Sequence, residues 1–480
     1  MRIPRLSVLA LACGALTLSA CADEVTSPPG GTGAVADVPA FAMAAGDLPA
    51  ADDLGGRHIV VFSSKRGIPS DFEQSIARLG GTVDAAYTEV GAAIVSGLDE
   101  AAASKLRGQQ GISYAELEPV IEMRLPELTA EPESVGDAPA SPGDPAGAYF
   151  FPIQWNYPAI MAPTAWAAGR LGSADVTVAI LDTGIDYLHM DLTGKVDLSR
   201  SVSFLPQDDA LVDIYFPGRD YITDLVWHGT HVASTVSSNA LAAAGVTSQV
   251  TLMGVKVCSV YGGCPGSAIF GGIAWAIEHD ADVINMSLGG SFQKKDYPGY
   301  VSVINRLFNY AKNQKVTIVV SAGNEYTDLD HDANGFKTYC DAPHVICVSA
   351  TAPGSSDDYL YGPFYDLDTP ATYTNYGRSA ISVAAPGGDD YGYVLQSCSS
   401  SSLVIPNCQA GNGYVVWASG TSMSSPHVAG LAALMVEDYG RNPAMVKTKI
   451  QQSADDLGQP GTDPYYGKGR INVATAVGAN

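Results

Sequence analysis

Positive charge is scarce in this chain. Lys and Arg total 26 against 50 Asp and Glu, a formal net charge of −24 over 480 residues. A surface of that sign repels phosphate backbones, which argues against a nucleic-acid partner. Charged residues of both signs make up only 16% while apolar residues reach 46%. That balance excludes global disorder, because disordered chains lack the apolar content to fill a core. After residue 21 no apolar run reaches the ~18 residues that cross a bilayer, so no spanning helix is expected. No C-x-x-C spacing occurs, which argues against a zinc site, and no internal repeat is visible. What is plentiful is length, enough for more than one domain at roughly 100–200 residues each. The 51 Gly and 29 Pro predict many turns and some linker.

The start of the chain reads as a bacterial export signal over residues 1–21. Arg2 and Arg5 give a basic beginning, and Leu6 to Leu18 is an apolar run too short to span a bilayer. It closes on Leu18-Ser19-Ala20-Cys21, which looks like a lipobox with Cys21 as the lipidated residue. Ala20-Cys21-Ala22 as an ordinary A-x-A cleavage site is the alternative. A membrane contact is expected only through a lipid on Cys21. The chain has 8 Cys. Cys13 and Cys21 belong to the signal. The others, Cys258, Cys264, Cys340, Cys347, Cys398 and Cys408, form three sequence-local pairs. An even count in an exported protein favours disulfides. Fifteen pairings of six Cys are possible; 258–264, 340–347 and 398–408 are expected, with buried free thiols as the alternative.

Composition divides the rest. Residues 22–55, rich in Pro, Gly, Ala and Asp, read as a flexible tether. Residues 56–124 read as a small domain in the order β-α-β-β-α-β, with a strand at Ile59–Phe62 and a helix opened by a Ser70-x-x-Glu73 capping box. Strands follow near Val83–Tyr87 and Ala92–Val95, then a helix over Glu100–Leu106 and a last strand near Glu116–Ile121. That order predicts a ferredoxin-like sandwich. Residues 125–148 are acidic and Pro-rich, an exposed linker. From 149 to 480 short apolar runs alternate with helical stretches. Candidate strands are Val176–Leu181, Thr251–Val257, Val283–Leu288, Val316–Ala322, Val345–Ala350 and Ile381–Ala385. Such runs suit a parallel sheet covered on both faces, so a doubly wound, three-layer αβα domain is expected.

Open α/β sheets place their sites at the C-terminal ends of strands. Three polar motifs fall at such points: Ala179-Ile180-Leu181-Asp182-Thr183-Gly184, His228-Gly229-Thr230-His231-Val232-Ala233, and Ser419-Gly420-Thr421-Ser422-Met423-Ser424-Ser425-Pro426-His427. A serine hydroxyl is unreactive at neutral pH unless an imidazole takes its proton. A carboxylate must hold that imidazole in the right tautomer, and a donor must meet the oxyanion that develops. The chain offers one candidate for each task. Ser422 is the nucleophile, His228 the base and Asp182 its orienter. Asn324, in Ser321-Ala322-Gly323-Asn324, is the oxyanion donor. Asp182-Thr183-Gly184 also matches the aspartic-protease triplet, but that chemistry needs two such Asp and no second triplet exists. His228 and His231 as a metal pair lack a third ligand. His231 and His427 read as packed helix residues.

These motifs in the order Asp, His, Ser resemble the subtilisin-like serine proteases, the subtilases. Further stretches carry the likeness, including Val283-Ile284-Asn285-Met286-Ser287-Leu288-Gly289, Ala384-Ala385-Pro386-Gly387 and Gly467-Lys468-Gly469-Arg470-Ile471-Asn472. The resemblance implies an endopeptidase acting on polypeptides, with no cofactor required for catalysis. It implies that Ser287, Leu288 and Gly289 bind extended substrate by strand addition, Gly289 giving the close approach. Glu325 is placed either at the first specificity pocket or in solvent. Residues 56–124 resemble the family's inhibitory propeptide, which makes the chain its own intramolecular inhibitor, cut in the linker, and a monomer. The cut releases a protease domain outside the cell or into the periplasm. Asp191 matches a calcium carboxylate of the family, yet the partner loop 239–249 is short, Ala-rich and poor in oxygen side chains, so calcium there is doubtful. The segment between Asp182 and His228 is enlarged; its carboxylates, such as Asp208, Asp209 and Asp213, are expected to face water, with calcium binding there as the alternative.

Overall fold

His58–Phe62 is five consecutive buried residues, the pattern of an inner strand, and it forms β1. A computed structural model describes residues 56–125, 130–135, 143–332 and 334–479. The signal, the tether and Cys21 lie outside the described residues. After β1 come α1 (Phe72–Arg78), β2 (Thr82–Tyr87), β3 (Ala92–Ser96), α2 (Glu100–Arg107) and β4 (Ile112–Leu117). The sheet order is β2-β3-β1-β4, antiparallel throughout, as a ferredoxin-like sandwich requires. Val60, Phe62, Ile76, Val95 and Leu106 fill the space between sheet and helices.

Two local expectations fail here. The capping box does not form: α1 starts at Phe72, with Asp71 at its N-cap and no side-chain cap. A turn in which Phe72 N–H donates to the Pro69 carbonyl (3.0 Å) carries the helix start past Ser70. The last strand is also split. Pro119 has no N–H to continue a ladder, so β4 stops at Leu117 and Val120–Glu122 forms β5 in a different sheet. A two-residue strand, β6 (Glu133–Ser134), follows in the linker.

The large domain opens with α3 (Asn156–Ala159), α4 (Ala162–Ala167), β7 (Thr177–Asp182), β8 (Val202–Ser203), α5 (Pro206–Tyr215) and α6 (His228–Val236). Next come β9 (Thr251–Lys256), β10 (Gly263–Pro265), α7 (Gly266–Glu278), β11 (Val283–Met286), β12 (Gly289–Gln293), α8 (Pro298–Asn313), β13 (Thr317–Ser321) and β14 (Gly335–Thr338). The chain closes with β15 (Ile346–Ala352), β16 (Ser355–Ser356), β17 (Phe364–Tyr365), β18 (Thr369–Pro370), β19 (Val383–Pro386), β20 (Val394–Ser397), β21 (Tyr414–Ala418), α9 (Thr421–Tyr439), α10 (Pro443–Ser453) and α11 (Val473–Ala476). The central eight-stranded sheet runs β15-β13-β11-β7-β9-β8, with β19 and β18 both pairing β15. All pairs are parallel except that of β18.

The layers follow from the pleat. Along β7, Val178 and Ile180 face one core with Val232 of α6 and Val428 and Leu431 of α9. Ala179 and Leu181 face the other, with Ile269 and Phe270 of α7 and Val303 and Leu307 of α8. Period-two alternation thus puts helices on both faces of one sheet. The three expected disulfides, 258–264, 340–347 and 398–408, are all formed.

The small domain lies on α7 and α8. Ile59, Val61, Ala92 and Ile94 join the core of that layer. Arg306 of α8 donates to the carbonyls of Val90 (3.0 Å), Gly91 (3.3 Å) and Phe62 (3.1 Å). Glu116 accepts from the N–H groups of Gly299 (3.0 Å) and Tyr300 (2.6 Å) in the first turn of α8. Glu118 accepts from Ser267 N–H (2.7 Å) in the first turn of α7. Each carboxylate meets amides that have no partner within the helix, where the dipole favours negative charge. Burial nevertheless pushes the pKa of both carboxyls up. No described helix is long and apolar enough to cross a membrane.

Candidate active site

Asp182 is the last residue of β7, at its C-terminal end, and is fully buried. Its Oδ1 accepts from the Thr183 N–H at 2.8 Å and lies 2.7 Å from His228 Nδ1. A carboxylate can only accept there, so Nδ1 carries the proton and Nε2 is left as an acceptor. Asp182 faces an imidazole and no second carboxylate, which removes the aspartic-protease reading.

His228 opens α6, and Asp224 fixes that opening. Asp224 Oδ1 accepts from the N–H of Val226 (2.9 Å) and Trp227 (3.1 Å); Oδ2 accepts from Thr230 N–H (2.9 Å) and Thr230 Oγ1 (2.6 Å). Thr183 Oγ1 donates to Asp224 Oδ1 (2.9 Å) and accepts from Gly229 N–H (2.9 Å). One buried carboxylate therefore ties the end of β7 to the start of α6, and so Asp182 to His228. Burial raises the Asp224 pKa, while five hydrogen bonds oppose it. The sequence reading missed Asp224; the available signal is an Asp four residues before a helix-opening His.

Ser422 lies in the first turn of α9. Pro426, inside the same helix, has no N–H for the Ser422 carbonyl four residues back. Ser287 Oγ takes that place, donating to Ser422 O at 2.8 Å. Ser287 thus anchors the turn that carries Ser422, a task beyond lining the groove. The Ser422 hydroxyl itself donates to the Ser287 carbonyl at 3.1 Å, not to His228. Asn324 follows β13, and its Oδ1 accepts from Thr421 N–H and Thr421 Oγ1, both at 2.9 Å. Both interactions occupy the oxygen and turn the amide NH2 outward beside the Ser422 turn.

His228, Ser422, Asn324, Ser287, Leu288 and Gly289 line one cleft of about 420 Å³. The chain's own residues Pro119–Arg124 occupy its wall. β5 pairs antiparallel with β10, Cys264 opposite Ile121, and Met123 N–H donates to Gly262 O at 2.9 Å. The 258–264 disulfide braces that wall. Gly289 and Gly290 both stand against close neighbours. A Cβ on Gly290 would stand 2.5 Å from Ile121 Cγ2, whereas one on Gly289 would meet the Lys337 carbonyl at 2.7 Å. Glu325 is exposed at the cleft's rim, its Oε2 accepting from Asn375 Nδ2 at 2.6 Å.

His231 and His427 are packed, as expected. His231 Nε2–H donates to Val394 O (3.1 Å), and burial pushes its pKa down to about 3. His427 Nδ1–H donates to Met423 O (2.8 Å) while Nε2 accepts from Asn156 Nδ2 (2.9 Å); burial takes its pKa down to about 4. Asp208 does not face water. It is fully buried, 3.2 Å from the equally buried Lys256 Nζ, and accepts from Val260 N–H at 3.1 Å. Asp209 accepts from Ser203 Oγ (2.6 Å) and Asp213 from Tyr221 OH (3.2 Å).

Calcium does not fit the Asp191 site. Its Oδ1 accepts from the N–H groups of Leu241 (2.8 Å) and Ala242 (2.9 Å), and its Oδ2 from Ala243 N–H (3.0 Å) and Ser397 Oγ (3.1 Å). A calcium ion wants six to eight oxygens; here hydrogen-bond donors surround the carboxylate. No group of three metal-binding side chains occurs among the described residues.

The sequence matches the family described as "Subtilase family" over residues 173–469. The chain belongs to the subtilase family. It is 32% identical to the thermophilic serine proteinase of Bacillus sp. (strain AK1) over 351 residues, 72% of each chain. It is 28% identical to subtilisin E of Bacillus subtilis (strain 168), over 88% of this chain and 90% of the relative. Among solved structures, fervidolysin from Fervidobacterium pennivorans, a keratinolytic enzyme related to subtilisin, superposes with a TM-score of 0.65 at 22% identity. That match covers 88% of this chain and 61% of that one and speaks to fold. As a subtilase the chain is a serine protease, a hydrolase of peptide bonds.

Proposed function

We propose that this subtilase is an exported endopeptidase made as a self-processing zymogen, with Asp182, His228 and Ser422 as its triad. The observation that carries the reading is the 2.7 Å contact between His228 Nδ1 and Asp182 Oδ1, in a cleft shared with Ser422 and walled by a strand of the small domain's end. In the reaction the Ser422 hydroxyl turns from the Ser287 carbonyl to His228 Nε2. The imidazole takes its proton as Oγ bonds to the substrate carbonyl carbon, and Asp182 stabilises the imidazolium. The Asn324 amide donates to the oxyanion. The C–N bond breaks as His228 returns the proton to the leaving amine, and water then hydrolyses the ester by the same route. No cofactor takes part.

Residues 56–124 act as the inhibitory propeptide. The β5–β10 pairing supports this, since strand addition is a general mode of peptide capture. Export follows from the signal at residues 1–21, by lipidation at Cys21 or ordinary cleavage, and places the protease domain outside the cytoplasm. Ser422→Ala tests the reading. The variant precursor, purified alone, keeps its full mass and hydrolyses no peptide. If it matures like the parent, self-processing is refuted.

A further inference from the structure

The end of the small domain and the start of the linker each pair with the large domain. Upstream, β5 and Met123 are held by β10 and Gly262. Downstream, β6 adds to the β20–β21 sheet, with Glu133 opposite Val415 and Ser134 opposite Tyr414. Val135 N–H donates to Gly413 O at 3.4 Å. The Val135 side chain is 8% exposed and packs with Leu395, Val415 and Trp417. A Cβ on Gly413 would come within 2.5 Å of Met190 Cε and 2.9 Å of Val135 Cγ2, so the glycine leaves room for both side chains. Glu133 accepts from Tyr361 OH, and Glu131 from Asn407 Nδ2 at 2.7 Å. β21 leads into the Gly420 turn just ahead of Ser422.

Arg124 is the last residue of this segment to line the cleft with His228, Ser422 and Asn324. Leu125 packs against a different cluster, containing Trp227 and Met423, the neighbours in sequence of His228 and Ser422. The surroundings of the chain thus change from the cleft to the flanks of the catalytic residues between 124 and 125.

We infer that residues 131–135 are a latch that belongs to the protease domain: self-cleavage breaks the Arg124–Leu125 bond, and the latch keeps the downstream side of the cut on β21. This rests on the self-processing reading for the cut, but the latch itself does not need it. The small domain and β5 leave on one side. The new N-terminus, eight residues ahead of β6, stays within about 27 Å of it at full extension. Held so, the new N-terminus stays tethered to the protease domain, at an effective concentration on the order of millimolar for the cleft. The latch also closes the β21 edge, which would otherwise offer unpaired amides to other chains.

The test combines intact mass and N-terminal sequencing of the matured protein with hydrogen exchange on both the matured form and the full-length Ser422→Ala chain. Expected are an N-terminus at Leu125 and slow exchange over 133–135 in both forms. An N-terminus beyond residue 135, or exchange there as fast as in an unstructured peptide, overturns the latch. If Ser422→Ala matures alone, self-processing fails, while the exchange data still decide on the latch. Val135→Asp should raise exchange over 131–135 at least tenfold and expose the segment to trimming, with the first cut unchanged. Glu133→Ala should do the same more weakly. Unchanged exchange in both variants also contradicts the proposal.

Discussion

The small domain and the large one are held by different means. The small one has a single sheet with one thin layer of buried side chains beneath two short helices, and no cysteine. The large one buries both faces of an eight-stranded sheet and adds three disulfides. The face of the small sheet turned away from its own helices is completed by α7 and α8 of its neighbour. A domain that finishes its core on another is built to depend on it.

The sharpest way to break that contrast is to disable the large domain's chemistry while leaving its fold. His228→Ala should cut peptide hydrolysis by roughly 10⁴-fold or more, with thermal unfolding little changed. Asn324→Leu should lower kcat by about 100–1,000-fold with KM nearly constant, since its amide matters only when the oxyanion forms; steady-state kinetics on a peptide substrate check both. At the interface, Glu118→Ala leaves the α7 amide of Ser267 without its carboxylate. It should weaken retention of the small domain about tenfold, seen as an earlier rise of activity after processing.

Two smaller effects concern the large domain alone. Burial takes the pKa of His231 down to about 3 and of His427 down to about 4, from an ordinary value of 6.5. The unfolded chain binds protons that the folded one refuses between those values. Stability is therefore complete above about pH 6.5 and falls as the pH drops toward 4, by roughly 1 kcal/mol per pH unit for each histidine. Denaturant midpoints at pH 7 and pH 5 check the direction. Finally, EDTA should leave the melting temperature unchanged, because backbone amides already satisfy Asp191. A drop of several degrees would show that a metal supports the fold after all.

Much of the architecture was readable because the patterns are long. Strands such as β7 and β9 are continuous apolar runs, and the ends of β7, α6 and α9 carry motifs whose residue types fit one chemistry. What escaped depends on contacts distant in sequence. Asp208, on α5, looks solvent-bound until Lys256, from β9, is seen beside it. Ser287 reads as groove lining until the missing amide of Pro426 gives it a carbonyl to satisfy. The need for glycine at 290 shows only when Ile121 is seen to arrive there from a separate domain. The capping box failed for a local reason, a turn at Pro69 that sequence spacing alone does not reveal.

The most direct measurement is covalent labelling with a serine-directed organophosphonate, read by intact mass and peptide mapping of the matured protein. One label per chain on Ser422, lost in a His228→Ala chain that the parent enzyme has matured in trans and that still carries Ser422, is the predicted result. Labelling on another residue, or labelling of Ser422 at the same rate without the imidazole, would contradict the account.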